Sequence, residues 1–134
     1  MTSRHGGCLC GRTRYVYDPA GIGWCAHCHC DSCRRATGAP MVTFFAIRTT
    51  ALRWLSSRPS TRDSSPGVTR GFCPECGTPM TYARQSDPDE VHVLAGTLDD
   101  PAEVTPTRHD FWDEKLPWLE LADDLERHRG SDPD

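Results

Sequence analysis

Four cysteines fall within the nine-residue stretch Cys25-Ala26-His27-Cys28-His29-Cys30-Asp31-Ser32-Cys33. The pair Cys8 and Cys10 precedes this stretch as C-x-C, and the pair Cys73 and Cys76 follows it as C-x-x-C. The gap between Cys10 and Cys73 is far too long for a single zinc knuckle. If these cysteines bind metal, the sites therefore draw on distant parts of the chain and hold the fold together.

The cysteines are interpreted as metal ligands rather than as disulfide partners. Residues 1–7 contain no apolar segment of a secretory signal, and no run of about 18 apolar residues could span a membrane. We therefore expect a cytoplasmic protein whose thiols stay reduced, with no membrane partner. The C-x-C and C-x-x-C spacings are typical of zinc ligands, whereas a disulfide within C-x-C would be strained.

Length and composition suit one zinc-binding domain of residues 1–125 followed by a disordered tail of residues 126–134. Hydrophobic residues make up 37% of the chain, and its 11 glycines and 11 prolines indicate many turns and short elements. A small chain of low apolar content needs cross-links, which metal sites would supply. The net charge of −4 provides no basic surface, so nucleic acid is not expected as a partner.

Short segments rich in β-branched and aromatic residues predict a mainly β fold. The clearest strand is 41–47, whose continuous apolar run indicates burial on both faces. Further strands are predicted at 12–17, 24–30, 51–55, 68–72, 79–83 and 90–95. Asp31 is expected to cap a single helical turn that runs to Arg35 and ends at Gly38. Residues 56–67, with five serines and two prolines, are predicted to be a mobile loop or a flap over the site.

One closed metal site can be assembled from the spacing of the cysteines. A structural zinc needs four ligands in a tetrahedron, and a C-x-C pair and a C-x-x-C pair supply them jointly. The ligands of this site are predicted to be Cys8, Cys10, Cys73 and Cys76.

The cysteines of the central stretch leave two alternatives for a second site. Either Cys25 completes a closed four-sulfur site, or an open site uses only Cys28, Cys30 and Cys33 and leaves its fourth position to water or a small thiol. The open site is preferred, because four ligands in so short a run need a tightly curled backbone and no glycine is present there. His27 and His29 are interpreted as hydrogen-bonding neighbours rather than as ligands.

Five motifs occur in a fixed order from Gly6 to Trp118: G-G-C-L-C-G, C-H-C-x-x-C-R, G-F-C-P-x-C-G-T-P, G-x-L-D-D-P and H-x-x-W-x-x-K-x-P-W. Together they resemble the GFA family, which contains the glutathione-dependent formaldehyde-activating enzyme and the CENP-V-type proteins. The resemblance implies the family's Mss4-like, β-tent fold of short antiparallel sheets. Cys25 is not part of the family pattern.

The same resemblance implies two zinc ions and a reaction. A structural zinc would be held by Cys8, Cys10, Cys73 and Cys76, and a second, catalytic zinc by Cys28, Cys30 and Cys33. The namesake activity joins glutathione to formaldehyde to give S-hydroxymethylglutathione, a carbon–sulfur lyase reaction. The expected partners are therefore a small thiol and a small aldehyde, and self-association is left open.

Residues that would assist this reaction are selected by chemical type. A zinc that already carries three thiolates is a poor Lewis acid, which favours capture of the substrate thiol over activation of the carbonyl. Lys115 is predicted to be a catalytic cation and His109 a proton carrier. Arg34 and Arg35 are further cations predicted to offset the negative charge that a bound substrate thiolate adds to the site, and Trp112 and Trp118 are predicted to wall the binding pocket. The rival functions are a non-catalytic zinc-stabilised module with two closed four-cysteine sites and a redox or metal sensor.

Overall fold

The computed structural model describes residues 4–131, which form two β-sheets and one short α-helix. The strands are β1 (Arg4–Gly7), β2 (Arg14–Tyr17), β3 (Ile22–Cys28), β4 (Val42–Arg48), β5 (Leu52–Trp54), β6 (Ser60–Ser65), β7 (Val68–Phe72), β8 (Pro79–Arg84), β9 (Glu90–Leu94), β10 (Arg108–Asp110) and β11 (Glu126–Arg127). The helix α1 covers Asp31–Thr37, and single 3₁₀ turns cover Pro19–Gly21, Thr49–Ala51, Ala95–Thr97, Pro101–Glu103 and Trp112–Glu114. The prediction of a mainly β fold is confirmed.

The smaller sheet has the strand order β1-β2-β5, and the larger sheet has the order β11-β10-β3-β4-β9-β8-β7-β6. Most neighbouring strands are antiparallel, as expected. The exceptions lie at one edge of the larger sheet, where β10 pairs in parallel with both β3 and β11. A long connection precedes β10, and it allows the chain to return in the direction of β3.

The apolar core unites side chains from both sheets, chiefly Tyr15, Tyr17, Phe45, Ile47 and Val93. The rings of Tyr17 and Phe45 lie 5.6 Å apart and join the smaller sheet to the larger one. The tyrosine hydroxyls are also satisfied: Tyr17 donates to Glu103 at 2.9 Å, and Tyr15 shares a hydrogen bond of 2.8 Å with Thr97. Burial of these amphipathic rings therefore leaves no unpaired hydroxyl.

Strand β4 is buried on both faces, as its continuous apolar run predicts. Phe45 and Ile47 point into the core between the sheets, whereas Val42 and Phe44 belong to a second buried cluster that includes Cys33 of α1. Successive residues of a strand point to opposite faces, so β4 separates the core from the side of the sheet that carries the helix.

Residues 56–67 do not form a loop throughout, and that prediction is wrong for its central part. Ser60–Ser65 form strand β6, which pairs antiparallel with β7 at the edge of the larger sheet. The segment is polar and mostly exposed, so it shows no alternation of apolar residues. Its backbone hydrogen bonds come from β7, which is why composition alone could not reveal the strand.

The expectation of a disordered tail is also wrong for the part of the tail that the structure describes. Glu126–Arg127 pair in parallel with β10, and the Trp112 backbone N–H donates to the His128 carbonyl at 2.8 Å. Residues 132–134 of the predicted tail lie outside the described residues. A polar segment can be held by a sheet edge without a buried face of its own.

Helix α1 is longer than predicted and has a different cap. Cys30, not Asp31, is the N-cap, and its sulfur accepts a hydrogen bond from the Cys33 backbone N–H at 3.3 Å. The helix ends at Gly38, as predicted, where a φ of 75° requires the left-handed conformation that glycine adopts readily. Within residues 4–131 no helix has the length and apolar character needed to cross a membrane.

Candidate active site

Four cysteines from two segments that are distant in sequence come together at one point. Their sulfurs, from Cys8, Cys10, Cys73 and Cys76, all lie within 4.8 Å of one another and could hold a metal ion. Gly11 and Gly77 follow the two cysteine pairs with φ values of 83° and 82°, the left-handed conformation of tight turns. These turns let backbone and hydroxyl donors face the sulfurs: the Thr13 N–H donates to Cys8 at 3.3 Å.

A second cluster lies where strand β3 leads into helix α1. It contains the sulfurs of Cys28, Cys30 and Cys33, which also lie within 4.8 Å of one another and could hold a metal ion. Cys28 ends β3, Cys30 caps the helix, and Cys33 lies in its first turn. Hydrogen bonding with Cys28 and Cys33 lowers the pKa of Cys30, whereas hydrogen bonding with Cys30 raises the pKa of Cys28. The cluster therefore favours a thiolate at Cys30.

Cys25 does not belong to this second cluster. It is buried in the core between the two sheets, and that burial raises the pKa of its thiol to about 11. Cys25 and Cys28 are three residues apart on one strand, so their side chains point to opposite faces of the sheet. The alternative of a closed four-cysteine second site is therefore wrong.

A cavity of about 320 Å³ opens onto the three-cysteine cluster, and all three of its cysteines line the cavity wall. The four-cysteine cluster does not border it. The two clusters therefore differ in kind: the first provides four converging sulfurs that do not line this cavity, and the second provides three sulfurs beside a space that a small molecule could enter.

A row of side chains crosses the larger sheet along the floor of this cavity. Arg70 on β7 lies directly opposite Tyr82 on β8, Tyr82 lies opposite His92 on β9, and the register continues through Ala46 on β4 to Trp24 on β3. Directly opposed residues share a face of the sheet, so the row is continuous. Ala46 is small, which lets His92 and Trp24 meet above it with ring centres 4.6 Å apart.

The members of this row hold one another in place. The Tyr82 ring is stacked on His92 with centres 5.3 Å apart, and the Arg70 guanidinium lies 5.0 Å from the centre of the Tyr82 ring. At the other end, the Arg108 guanidinium lies 4.7 Å from the centre of the Trp24 ring. Cation–π and stacking contacts thus place one buried guanidinium at each end of the row.

Two pairs of ionisable side chains lie at the cavity, Arg108 with Asp110 and His92 with Glu90. Arg108 donates from Nε to Asp110 at 2.8 Å, and both side chains are buried. His92 Nε2 lies 2.9 Å from Glu90 Oε1. Burial lowers the pKa of His92, an effect that hydrogen bonding to Glu90 opposes. His92 is therefore neutral at neutral pH, with its Nε2–H donating to Glu90.

The predicted proton carrier His109 lies on the opposite face of the sheet from the cavity. It is fully buried, with Nε2 3.0 Å from the Asp123 carboxylate and Nδ1 2.8 Å from His29 Nε2. Because the carboxylate accepts from His109 Nε2–H, His109 Nδ1 accepts from His29. Burial lowers the pKa of His29 to about 4, so the His29 imidazole of this hydrogen-bonded series is neutral at neutral pH. His27 lies beside this group, with its ring centre 4.9 Å from that of His109 and its Nδ1 2.7 Å from the Thr43 hydroxyl.

Trp112 and Lys115 belong to this same face rather than to the cavity. The Trp112 ring lies 4.8 Å from His109 and 5.3 Å from His29. The Lys115 ammonium donates to the carbonyls of Leu116 and Leu119, at 3.0 and 2.7 Å. Neither side chain lines the cavity.

The side chains of Arg34 and Arg35 do not line the cavity either. Arg34 donates to Asp31 at 2.6 Å and Arg35 donates to Asp31 at 3.0 Å, on the surface of α1. Trp118 is 67% exposed and walls no cavity described here. The structure therefore brings together the predicted cysteines, whereas none of the predicted accessory residues lines the cavity, and His109, Trp112 and Lys115 meet on the other face of the sheet.

The accessory residues that the cavity does contain were missed by sequence reasoning, although one signal was present. Arg108, His109 and Asp110 are consecutive in strand β10, so Arg108 and Asp110 must face opposite to His109. Alternation thus shows that His109 cannot share a face with its neighbours. Arg70 and Tyr82 carried no such signal, because their place beside the cysteines depends on which strands are neighbours.

Fold and site together define a class of protein: a mainly β domain with one four-cysteine cluster and one three-cysteine cluster beside a cavity. The chain belongs to the GFA family, because the family model described as glutathione-dependent formaldehyde-activating enzyme matches residues 3–114. Comparison with curated proteins gives no match. Among solved structures, a crystal structure of a Rhodobacter sphaeroides protein is similar, with 23% identity and a TM-score of 0.56 over 74% of this chain and 93% of that one. That likeness concerns the fold.

Proposed function

We propose that this protein is a zinc-dependent carbon–sulfur lyase-type enzyme that adds a thiol, glutathione or a similar molecule, to a small aldehyde such as formaldehyde. The observation that carries the proposal is the three-cysteine cluster beside a cavity. Cys25, the candidate for a fourth sulfur ligand, is buried on the other face of the sheet. Family membership supports the thiol and aldehyde as substrates. The reducing conditions that eight free cysteines require favour a cytoplasmic location.

The cysteines fit zinc in both places. Four converging sulfurs suit a structural zinc, and three converging sulfurs with an adjacent space suit a zinc that retains one position for a substrate. Thiolates are soft ligands that zinc binds well, and the hydrogen bond from the Cys33 N–H to Cys30 favours the thiolate form. When bound at the second site, zinc would supply the means to hold a substrate thiol as a thiolate beside the aldehyde.

The reaction forms one carbon–sulfur bond and opens the carbonyl double bond, and the proton lost by the thiol ends on the new hydroxyl group. A group that accepts and returns a proton is therefore needed at the cavity. His92, neutral and oriented by Glu90, is the residue we assign to this role in place of His109. Arg84 at the cavity has no hydrogen-bond or ion-pair partner for its guanidinium within residues 4–131, and it would bind a substrate carboxylate.

Replacement of single cysteines tests the proposal. We expect Cys30→Ser to lose the second zinc and the acceleration of glutathione addition to formaldehyde, while retaining the first zinc. Cys25→Ser is the matched control, because it removes a sulfur from the same strand region but not from the cluster. It should retain both zinc ions and the activity. The measurements are zinc content per chain and the rate of adduct formation by NMR above the uncatalysed rate.

Two results would contradict the proposal. If Cys25→Ser released the second zinc as readily as Cys30→Ser, the site would be closed. If the unaltered protein bound two zinc ions but did not accelerate the addition for any of a set of thiols and aldehydes, a zinc-stabilised binding module would be the better description.

A further inference from the structure

Arg70 is a buried cation whose charge is not balanced by any carboxylate. Its side chain is 8% exposed, and within residues 4–131 no Asp or Glu lies within ion-pair distance of it. Its Nε donates to the Ser64 hydroxyl at 2.9 Å. A guanidinium keeps its charge in proteins, and a buried charge is costly unless an opposite charge is close. The position therefore requires an anion.

The sulfur of Cys33 would meet this requirement as a metal-bound thiolate. Both terminal nitrogens of Arg70 point to it, Nη1 at 3.7 Å and Nη2 at 3.6 Å. Charge-assisted hydrogen bonds of this forked kind are suited to a single anionic acceptor. Arg70 is held in this orientation from two further sides, by Ser64 and by the Tyr82 ring that is stacked on His92.

We propose that Arg70 is the positioning residue that balances the charge of the three-cysteine site. Zinc bound by three thiolates carries one net negative charge, and a substrate thiolate added as fourth ligand would make it two. The Arg70 guanidinium offsets one of these charges in a buried setting, where it is screened weakly by water. The part of this inference that concerns the substrate thiolate rests on the function proposed above.

Among the described residues, no other cation donates to a cluster sulfur; Arg84 also lines the cavity but makes no such hydrogen bond. Arg34 and Arg35 are bound to Asp31, and Lys115 is bound to backbone carbonyls on the other face of the sheet. Arg108 lies at the far end of the row and is paired with Asp110. Among the described residues, Arg70 is thus the cation whose guanidinium nitrogens point to a sulfur of the cluster.

The test compares three full-length variants of the metal-loaded protein. Arg70→Met removes the charge, Arg70→Lys keeps the charge but not the fork, and Arg62→Met removes a cation from the exposed position directly opposite Arg70 on β6. The affinity of the second zinc is measured by competition with a chelator. Glutathione binding is measured from the visible spectrum of the cobalt-substituted second site.

We expect Arg70→Met to lower the affinity of the second site for zinc about 10- to 100-fold, the usual effect of removing a group that supports metal ligands. The same variant should bind glutathione more weakly in its cobalt-substituted form. Arg70→Lys should lie closer to the unaltered protein, and Arg62→Met should match it. Equal losses in Arg70→Met and Arg70→Lys would show a packing role and overturn the inference. An unchanged zinc affinity in Arg70→Met would overturn it as well. If Arg70→Met does not fold, Arg70→Lys is compared with Arg62→Met: a zinc affinity within a few-fold of that of Arg62→Met supports the inference, and a loss of about 10-fold or more overturns it.

Failure of the charge-balancing role of Arg70 can be distinguished from failure of the proposed enzymatic function. A protein that binds the second zinc with help from Arg70 but does not join thiols to aldehydes contradicts the proposed function and leaves the charge-balancing role intact. An active protein whose zinc and glutathione affinities do not depend on Arg70 contradicts the inference alone.

Discussion

His92 occupies the middle of the row on the cavity floor, between the Tyr82 ring and the edge of Trp24. Burial lowers the pKa of this imidazole below its usual value of about 6.5. The unfolded chain therefore binds more protons than the folded chain once the pH falls below that value. The free energy of unfolding must then decrease as the pH falls, because protonation favours the state with the higher pKa.

The decrease in the free energy of unfolding at lower pH can be tested with His92→Gln. The free energy of unfolding of the unaltered protein should fall between about pH 7 and about pH 5, and the variant should show a shallower fall. Urea unfolding at several pH values measures both curves. Loss of zinc from cysteines also destabilises both proteins in acid, so the difference between the two curves is the relevant quantity. The variant's curve should not become flat, because it retains His27 and His29, whose pKa values are also lowered by burial. Parallel curves for the two proteins would contradict the role of His92.

At the scale of elements, strand β10 determines which groups reach the cavity. It lies between β3 and β11, and its alternation places Arg108 and Asp110 on the cavity side and His109 on the other. Strand β11 completes its hydrogen bonding, since the His128 N–H donates to the His109 carbonyl at 2.8 Å. The short tail strand therefore supports the edge of the sheet that carries Arg108 and Asp110 of the cavity wall.

Truncation after Leu125 tests this support. The shortened chain loses the pairing of β11 with β10 and the contact of the Arg127 guanidinium with the Trp112 ring, 4.6 Å from its centre. With net contributions of about 1 kcal/mol for each hydrogen bond, we expect the free energy of unfolding to fall by about 2–4 kcal/mol. A chain that ends at Ser131 keeps these contacts and is the matched control. Equal melting temperatures for the two truncated chains would show that β11 contributes nothing to stability.

At the scale of the whole molecule, the four-cysteine cluster joins the two sheets. Cys8 and Cys10 lie in the turn between β1 and β2 of the smaller sheet, whereas Cys73 and Cys76 lie between β7 and β8 of the larger one. A metal at this point ties together segments that are far apart in sequence. Its binding free energy is therefore available to stabilise the fold.

We predict that Cys73→Ser is largely unfolded. A structural zinc contributes about 10–16 kcal/mol of binding free energy, which is comparable with the whole stability of about 5–15 kcal/mol of an ordinary domain. Cys33→Ser is the control, because it should lose only the second metal and remain folded. Circular dichroism and thermal melting with and without a chelator measure the effect. A Cys73→Ser protein that melts at the same temperature as the unaltered one would refute the role of the first cluster.

Much of the fold could be predicted from local patterns. The strands near residues 42–48, 68–72 and 90–94 follow from β-branched and apolar runs, which reflect burial that each residue experiences directly. Strands β6 and β11 could not be predicted in this way. They are polar segments held by backbone hydrogen bonds to a neighbouring strand, and such bonds leave no mark on side-chain composition.

The sequence by itself predicted the four cysteines of the first cluster and favoured the three cysteines of the second, because the reach of C-x-C and C-x-x-C pairs is a local property of the backbone. It also contained the reason why Cys25 stands apart, since a separation of three along a strand reverses the direction of a side chain. Only the tertiary structure decided what surrounds the three sulfurs. Arg70, Tyr82, His92 and Trp24 come from four strands, and their meeting depends on the order and register of strands that are distant in sequence.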